Sequence, residues 1–138
     1  MDPAELLEII YVSDINPDLT VQDLNTLHQQ AHLNNLKNDV TGLLLVTDKH
    51  FMQLIEGTTL AIQSLFKKLG TDERHSNVRL ISERPVANRQ FPDWHMGLRH
   101  CLDRAETADI AAVINAYGTQ QHFSAQHATA VGMLFRAI

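Results

Sequence analysis

Cysteine is almost missing from this sequence: Cys101 is the only one, so no internal disulfide can form, and a reducing compartment, the cytoplasm, is the expected setting. Concentrated positive charge is missing as well. The formal net charge is -5 and no basic cluster exceeds Lys67-Lys68, a balance that repels a phosphate backbone and argues against nucleic acid as a partner. No apolar run approaches the roughly 20 residues that span a bilayer. Met1-Asp2-Pro3-Ala4-Glu5 is acidic where a signal peptide is basic, so neither membrane insertion nor secretion is expected. There is no Gly-rich phosphate loop and no nucleophile beside a base, which speaks against an enzyme. A small enzyme using His75 or the Asp72-Glu73 pair as base stands as the alternative.

What is present suits one compact unit. A chain of 138 residues builds a single core, and 44% hydrophobic with 20% charged residues is ordinary for a globular domain. Leu6 to Ser13 reads as a strand closed by the turn Asp14 to Asp18. Thr20 then caps a helix whose inward stripe is Val21, Leu24, Leu27, His28 and Ala31, continuing to Asn34 and Asn35. Thr41 to Thr47 and Phe51 to Glu56 form a central hairpin, and Ile62, Leu65, Phe66 and Leu69 mark a second helix, capped by Thr58 or Thr59 and stopped at Gly70. Val78 to Ser82 is a fourth strand; alternation at Trp94, Met96 and Leu98 gives a fifth. The order βαββαββ predicts a ferredoxin-like α/β (α+β) fold, a mixed sheet with two helices on one face. Two further helical patterns, ending in Val131, Leu134, Phe135 and Ile138, are expected on the other face, beneath the fifth strand.

Several polar side chains fall where the pattern says interior, and each needs a partner, since an unpaired buried amide costs roughly 1–3 kcal/mol. Gln53 stands between Phe51 and Ile55 on one side of its strand, while Met52 and Leu54 take the other, so neither face is polar. Either a ligand or backbone satisfies it. Tyr11 shares its face with Ile9 and Ser13 and needs a partner for its hydroxyl. Asn34 and Asn35 either face inward toward a ligand or end the helix. His28 and His32 stand at i, i+4, but no Glu accompanies them in the HExxH manner, so packing is the better reading and no metal is expected.

Tyr11-Val12-Ser13, Asn34-Asn35, Thr41-Gly42-Leu43-Leu44, Phe51 to Gly57, Asp72-Glu73-Arg74-His75, Arg89, Phe91, Trp94 and Met96 occur in one order and spacing, from about residue 8 to residue 99. In this the sequence resembles the BLUF family, sensors of blue light using flavin. The resemblance implies non-covalent binding of FAD, with FMN as the alternative, between the two sheet-packed helices. It implies Asn34, Asn35, Gln53, Arg74 and His75 as cofactor-binding residues, and Tyr11, Gln53, Trp94 and Met96 as the photoactive set. Light drives electron transfer from tyrosine to flavin in that family, coupled to proton movement and rearrangement of the glutamine hydrogen bond. The flavin-thiol type of photoreceptor is excluded, because Cys101 is followed by Leu102-Asp103 and lacks an Asn-Cys-Arg-Phe setting. Residues 1–100 are read as the photosensory domain and 101–138 as its helical extension. Output to a downstream effector protein in another chain, and a homo-oligomer, are expected. A related interaction domain that has lost its flavin is the non-photoactive alternative. Three departures from the family stand out: Asn38-Asp39 replaces a frequent Asn-Gly, Val46 replaces a frequent aromatic, and His95 separates Trp94 from Met96.

Overall fold

The computed structural model describes residues 5–101 and 106–138. Its elements are β1 (Leu6–Ile15), α1 (Val21–Asn38), β2 (Thr41–Val46), β3 (His50–Thr58), α2 (Thr59–Leu69), β4 (His75–Val86), β5 (Gly97–His100), α3 (Ala108–Gly118) and α4 (Ala125–Arg136). The strands form one sheet in the order β4-β1-β3-β2-β5, antiparallel except for the parallel β2–β5 pair. This is the expected ferredoxin-like mixed sheet.

Period-two alternation divides the strand residues between two cores. Ile9, Leu44, Phe51 and Ile55 pack under α1 and α2. Ile10, Leu45, Met52 and Leu54 face the other way, where Val131 and Phe135 of α4 and Ile114 of α3 are wholly buried. Both faces are thus covered, which is why β2 and β3 read as unbroken apolar runs.

The helix ends follow local chemistry. Thr20 and Asp23 form a capping box at α1, and Thr58 accepts from the Ala61 N–H at α2. Asp39 closes α1 in the left-handed region, φ 54° and ψ 44°, a conformation that a short polar side chain tolerates and glycine adopts freely. At Gly42 a Cβ would collide with the Leu54 carbonyl oxygen, so glycine is required by close approach.

Four expectations change. Val21 is 76% exposed, so the inward stripe of α1 begins at Leu24. The fifth strand starts at Gly97; Trp94 and Met96 precede it in a turn, the Trp94 N–H bonding back to the Phe91 carbonyl. The fourth strand is longer than Val78 to Ser82, takes in His75, and carries irregularities opposite Tyr11 and Val12, one of them around the left-handed Asn77. Finally, α4 lies mainly against β4, at the sheet edge opposite β5, and Ile138 beyond it lines a groove with residues 93–99. The expected boundary between residues 100 and 101 falls where β5 ends.

Candidate functional site

One rung of the sheet organises the site. Leu80, Tyr11, Gln53, Leu44 and Leu98 are opposed in register across β4, β1, β3, β2 and β5. Tyr11, Gln53 and Leu44 form the floor of a cleft under α1 and α2, with Leu27, Ala31 and Asn35 along one wall and Leu65 and Leu69 along the other. The enclosed space of the cleft is about 150 Å³, and it opens to solvent at its mouth.

The floor is a directed hydrogen-bond chain. Buried Tyr11 donates its hydroxyl proton to Gln53 Oε1, and Gln53 Nε2 donates to the Met96 thioether sulfur at 3.1 Å. Burial pushes the Tyr11 phenol well above its ordinary value, and the negative charge of Asp72 adds to the effect, so the hydroxyl stays protonated. A thioether is a weak acceptor, so the Gln53 amide has a poor partner on its nitrogen side. Asn35, 3% exposed, has none at all for its Nδ2. A buried orphan donor beside an apolar cleft is the mark of a ligand with acceptor atoms.

The turn after α2 closes one end. Asp72 grips Arg74 through both carboxylate oxygens, at 2.6 Å and 2.9 Å, and Arg74 NH1 donates to Gln30 Oε1 of α1 at 2.8 Å. This pairing lowers the Asp72 carboxyl below its usual range and raises the guanidinium. His75 lines the same end, but both ring nitrogens are engaged: Nε2–H donates to the Leu69 carbonyl at 2.6 Å and Nδ1 lies 2.7 Å from Ser13 Oγ. What it offers a ligand is its ring face.

A family profile described as "Sensors of blue-light using FAD" matches residues 6–97. The chain belongs to the BLUF family. Among BLUF relatives, the photoactivated adenylate cyclase subunit beta of Euglena longa is 32% identical over 101 residues, 72% of this chain and 12% of that protein. The blue light- and temperature-regulated antirepressor BluF of Escherichia coli (strain K12) is 34% identical over 85 residues, 61% of this chain and 21% of its own. The chain therefore spans a small part of the curated relatives it matches. The dark-state structure of the BLUF protein BlrB superimposes with a TM-score of 0.74 at 30% identity, over 80% of this chain and 85% of that one.

BLUF proteins use a flavin, and the residues here fit one: an unpaired buried amide, a weakly satisfied glutamine and the apolar side chains Leu27, Leu65 and Leu69 along the walls. Of the residues singled out in the sequence, Tyr11, Gln53, Asn35, Arg74 and His75 converge on the cleft. Asn34 is exposed and stands at its rim rather than facing inward. Met96 touches the site only through Gln53, and Trp94, 45% exposed, lines a separate shallow groove and stacks on Phe91 at 5.3 Å. Gln30 and Ser13 escaped the sequence reading as site residues, and Asp72 entered it only as a candidate base of the alternative enzyme reading. The polar run 72–75 was the available signal for Asp72; nothing distinguished Gln30 from a solvated helix face.

Proposed function

We propose that this chain is a blue-light photoreceptor that holds its flavin non-covalently in the cleft and switches through Tyr11 and Gln53. The observation that carries this reading is the chain from the Tyr11 hydroxyl through Gln53 to Met96, laid along a cleft floor beside an orphaned Asn35 amide. Asn35, with Asn34 at the rim, Gln53, Arg74 and His75 are the residues that would hold the cofactor, FAD in preference to FMN. When bound, the flavin supplies blue-light absorption and an oxidising excited state. Tyr11 is then the electron donor, and Gln53 Oε1 is the nearest acceptor for its phenolic proton. An amide is donor at one end and acceptor at the other, so rotation or tautomerisation of Gln53 reverses what it offers to Tyr11 and to its other neighbours. Met96 loses or gains its bond in the same movement.

The chain has no catalytic turnover of its own in this reading. Relatives named as an adenylate cyclase subunit and an antirepressor carry BLUF sequence within longer chains, which supports passage of the light state to an effector protein. Residues 1–100 sense and 101–138 form the helical extension, in a cytoplasmic homo-oligomer that engages neither nucleic acid nor membrane. Among the described residues no helix is long and apolar enough to cross a membrane.

An absorption spectrum of the protein reconstituted with FAD, dark and lit, tests this. A yellow protein whose flavin band shifts slightly to the red under blue light and returns in darkness is expected. A protein that retains no FAD, or retains it with an unmoved band, overturns the reading and leaves a non-photoactive interaction domain.

A further inference from the structure

The segment carrying Trp94 and Met96 is pinned at three successive residues. The Gly42 N–H donates to the Trp94 carbonyl at 2.9 Å, His95 Nδ1 lies 3.1 Å from the Val40 carbonyl, and His28 Nε2 of α1 lies 2.9 Å from the Met96 carbonyl. A carbonyl can only accept, so the ring proton of His28 sits on Nε2. His28 therefore grips the backbone of the residue whose thioether accepts from Gln53 Nε2. The first two pins tie the segment to β2 and the turn before it. The third ties it to the helix that also carries Asn35. His32, one turn further along α1, does not join His28; its ring meets that of His95 edge-on at 6.3 Å. Among the described residues no three His, Cys, Asp or Glu side chains gather as metal ligands.

We propose that His28 is a positioning residue for the photochemical switch: by holding the Met96 carbonyl it keeps the thioether against the Gln53 amide, and so favours the arrangement described above over the lit one. The inference rests on the reading of Gln53 as the switch. The physical reason is economy of freedom: a methionine side chain has three rotatable bonds and a weak acceptor sulfur, so it stays beside an amide only if its backbone is fixed. Loss of the His28 bond leaves the dark arrangement short of one ordinary hydrogen bond, a factor of about fivefold in the balance between the two states.

The test uses the full chain with bound FAD. His28→Leu, which keeps bulk without a donor, should slow dark recovery about fivefold and lower the melting temperature by only a few degrees, while flavin content stays near wild type. His28→Gln, whose amide nitrogen can still donate to the Met96 carbonyl, should restore the wild-type rate. In the wild type, nitrogen-15 histidine spectra should find the Nε2–H form of His28 with a ring proton protected from exchange in the dark. Recovery at wild-type rate in His28→Leu, or a dark His28 ring proton on Nδ1, overturns the proposal. The NMR arm does not depend on either variant folding. A wild type that shows no reversible red shift indicts the Gln53 reading instead, and the two failures are thereby distinguishable.

Discussion

Tyr11 and Gln53 are direct partners across the β1–β3 ladder, and the Tyr11 hydroxyl donates to the Gln53 amide oxygen. Their contact is thus set by strand register. A one-residue slip of either strand would turn its side chain to the face opposite its partner's, so the contact is as well defined as the sheet itself.

Removing either partner should separate switching from binding. Gln53→Leu and Tyr11→Phe should keep flavin, because the apolar walls and Asn35 remain, yet lose the reversible red shift. Full shifts in both variants, measured by dark and lit absorption, would show that neither residue carries the photochemistry.

Asn35 makes opposite demands on the empty and the filled protein. Its Nδ2 is buried without a partner, so Asn35→Leu should stabilise the flavin-free chain by about 1 kcal/mol while weakening flavin retention about fivefold or more. Thermal melts of the apoprotein and flavin titration read the two effects. A lower apoprotein melting temperature would mean that the amide is satisfied by a partner the cleft does not reveal.

Much of this was legible in the sequence because burial leaves a pattern. Gln53 stood out as polar with no polar face on either side, and the unbroken run Thr41 to Val46 signalled a strand covered on both sides. The inward placement of Asn34 did not hold, because successive helix residues point about 100° apart; with Asn35 facing the sheet, its neighbour stands at the rim. The start of the fifth strand was misplaced because Trp94, Met96 and Leu98 alternate across its N-terminal boundary, and alternation carries no mark of where hydrogen bonding to β2 begins. Glu56 was not legible at all. Wholly buried, its carboxylate accepts the backbone N–H groups of Gln90 and Phe91 at 2.7 Å and 2.6 Å and holds the crossing loop, a partnership made only in three dimensions.

The raised Tyr11 phenol has a consequence for alkaline stability. In the unfolded chain Tyr11 ionises near its ordinary value of about 10; in the folded chain it stays protonated well beyond that. Its contribution is complete below the unfolded value. Above about pH 10 the folded chain holds a proton the unfolded chain has lost, so stability falls as pH rises, by up to about 1.4 kcal/mol per pH unit. Denaturant melts from pH 9 to 11 should show this slope in wild type, and a slope shallower by that amount in Tyr11→Phe. Equal slopes would mean that the phenol is not shielded as its burial requires.

The route from the photoactive segment to the far face of the sheet runs through Phe91. Its ring stacks on exposed Trp94 with planes 14° apart, yet Phe91 itself belongs to the core that buries Val131 and Phe135 of α4. Ile138 meets the same segment from the end of the chain. Movement at Trp94 and Met96 must therefore be felt as repacking around Phe91, not through direct docking of α4 on β5. A differential of a few kcal/mol between the two light states is enough to shift such a contact. Hydrogen exchange reads it, because marginal terminal elements open locally. Protection across 125–138 should fall on illumination in wild type. Phe91→Ala should keep the flavin red shift, lose about 3 kcal/mol of stability, and erase the light-dependent difference in α4. If protection from residue 125 onward is the same in dark and lit wild type while the flavin shift is complete, α4 is a static cover. The light state would then leave the protein by the exposed Trp94 groove itself.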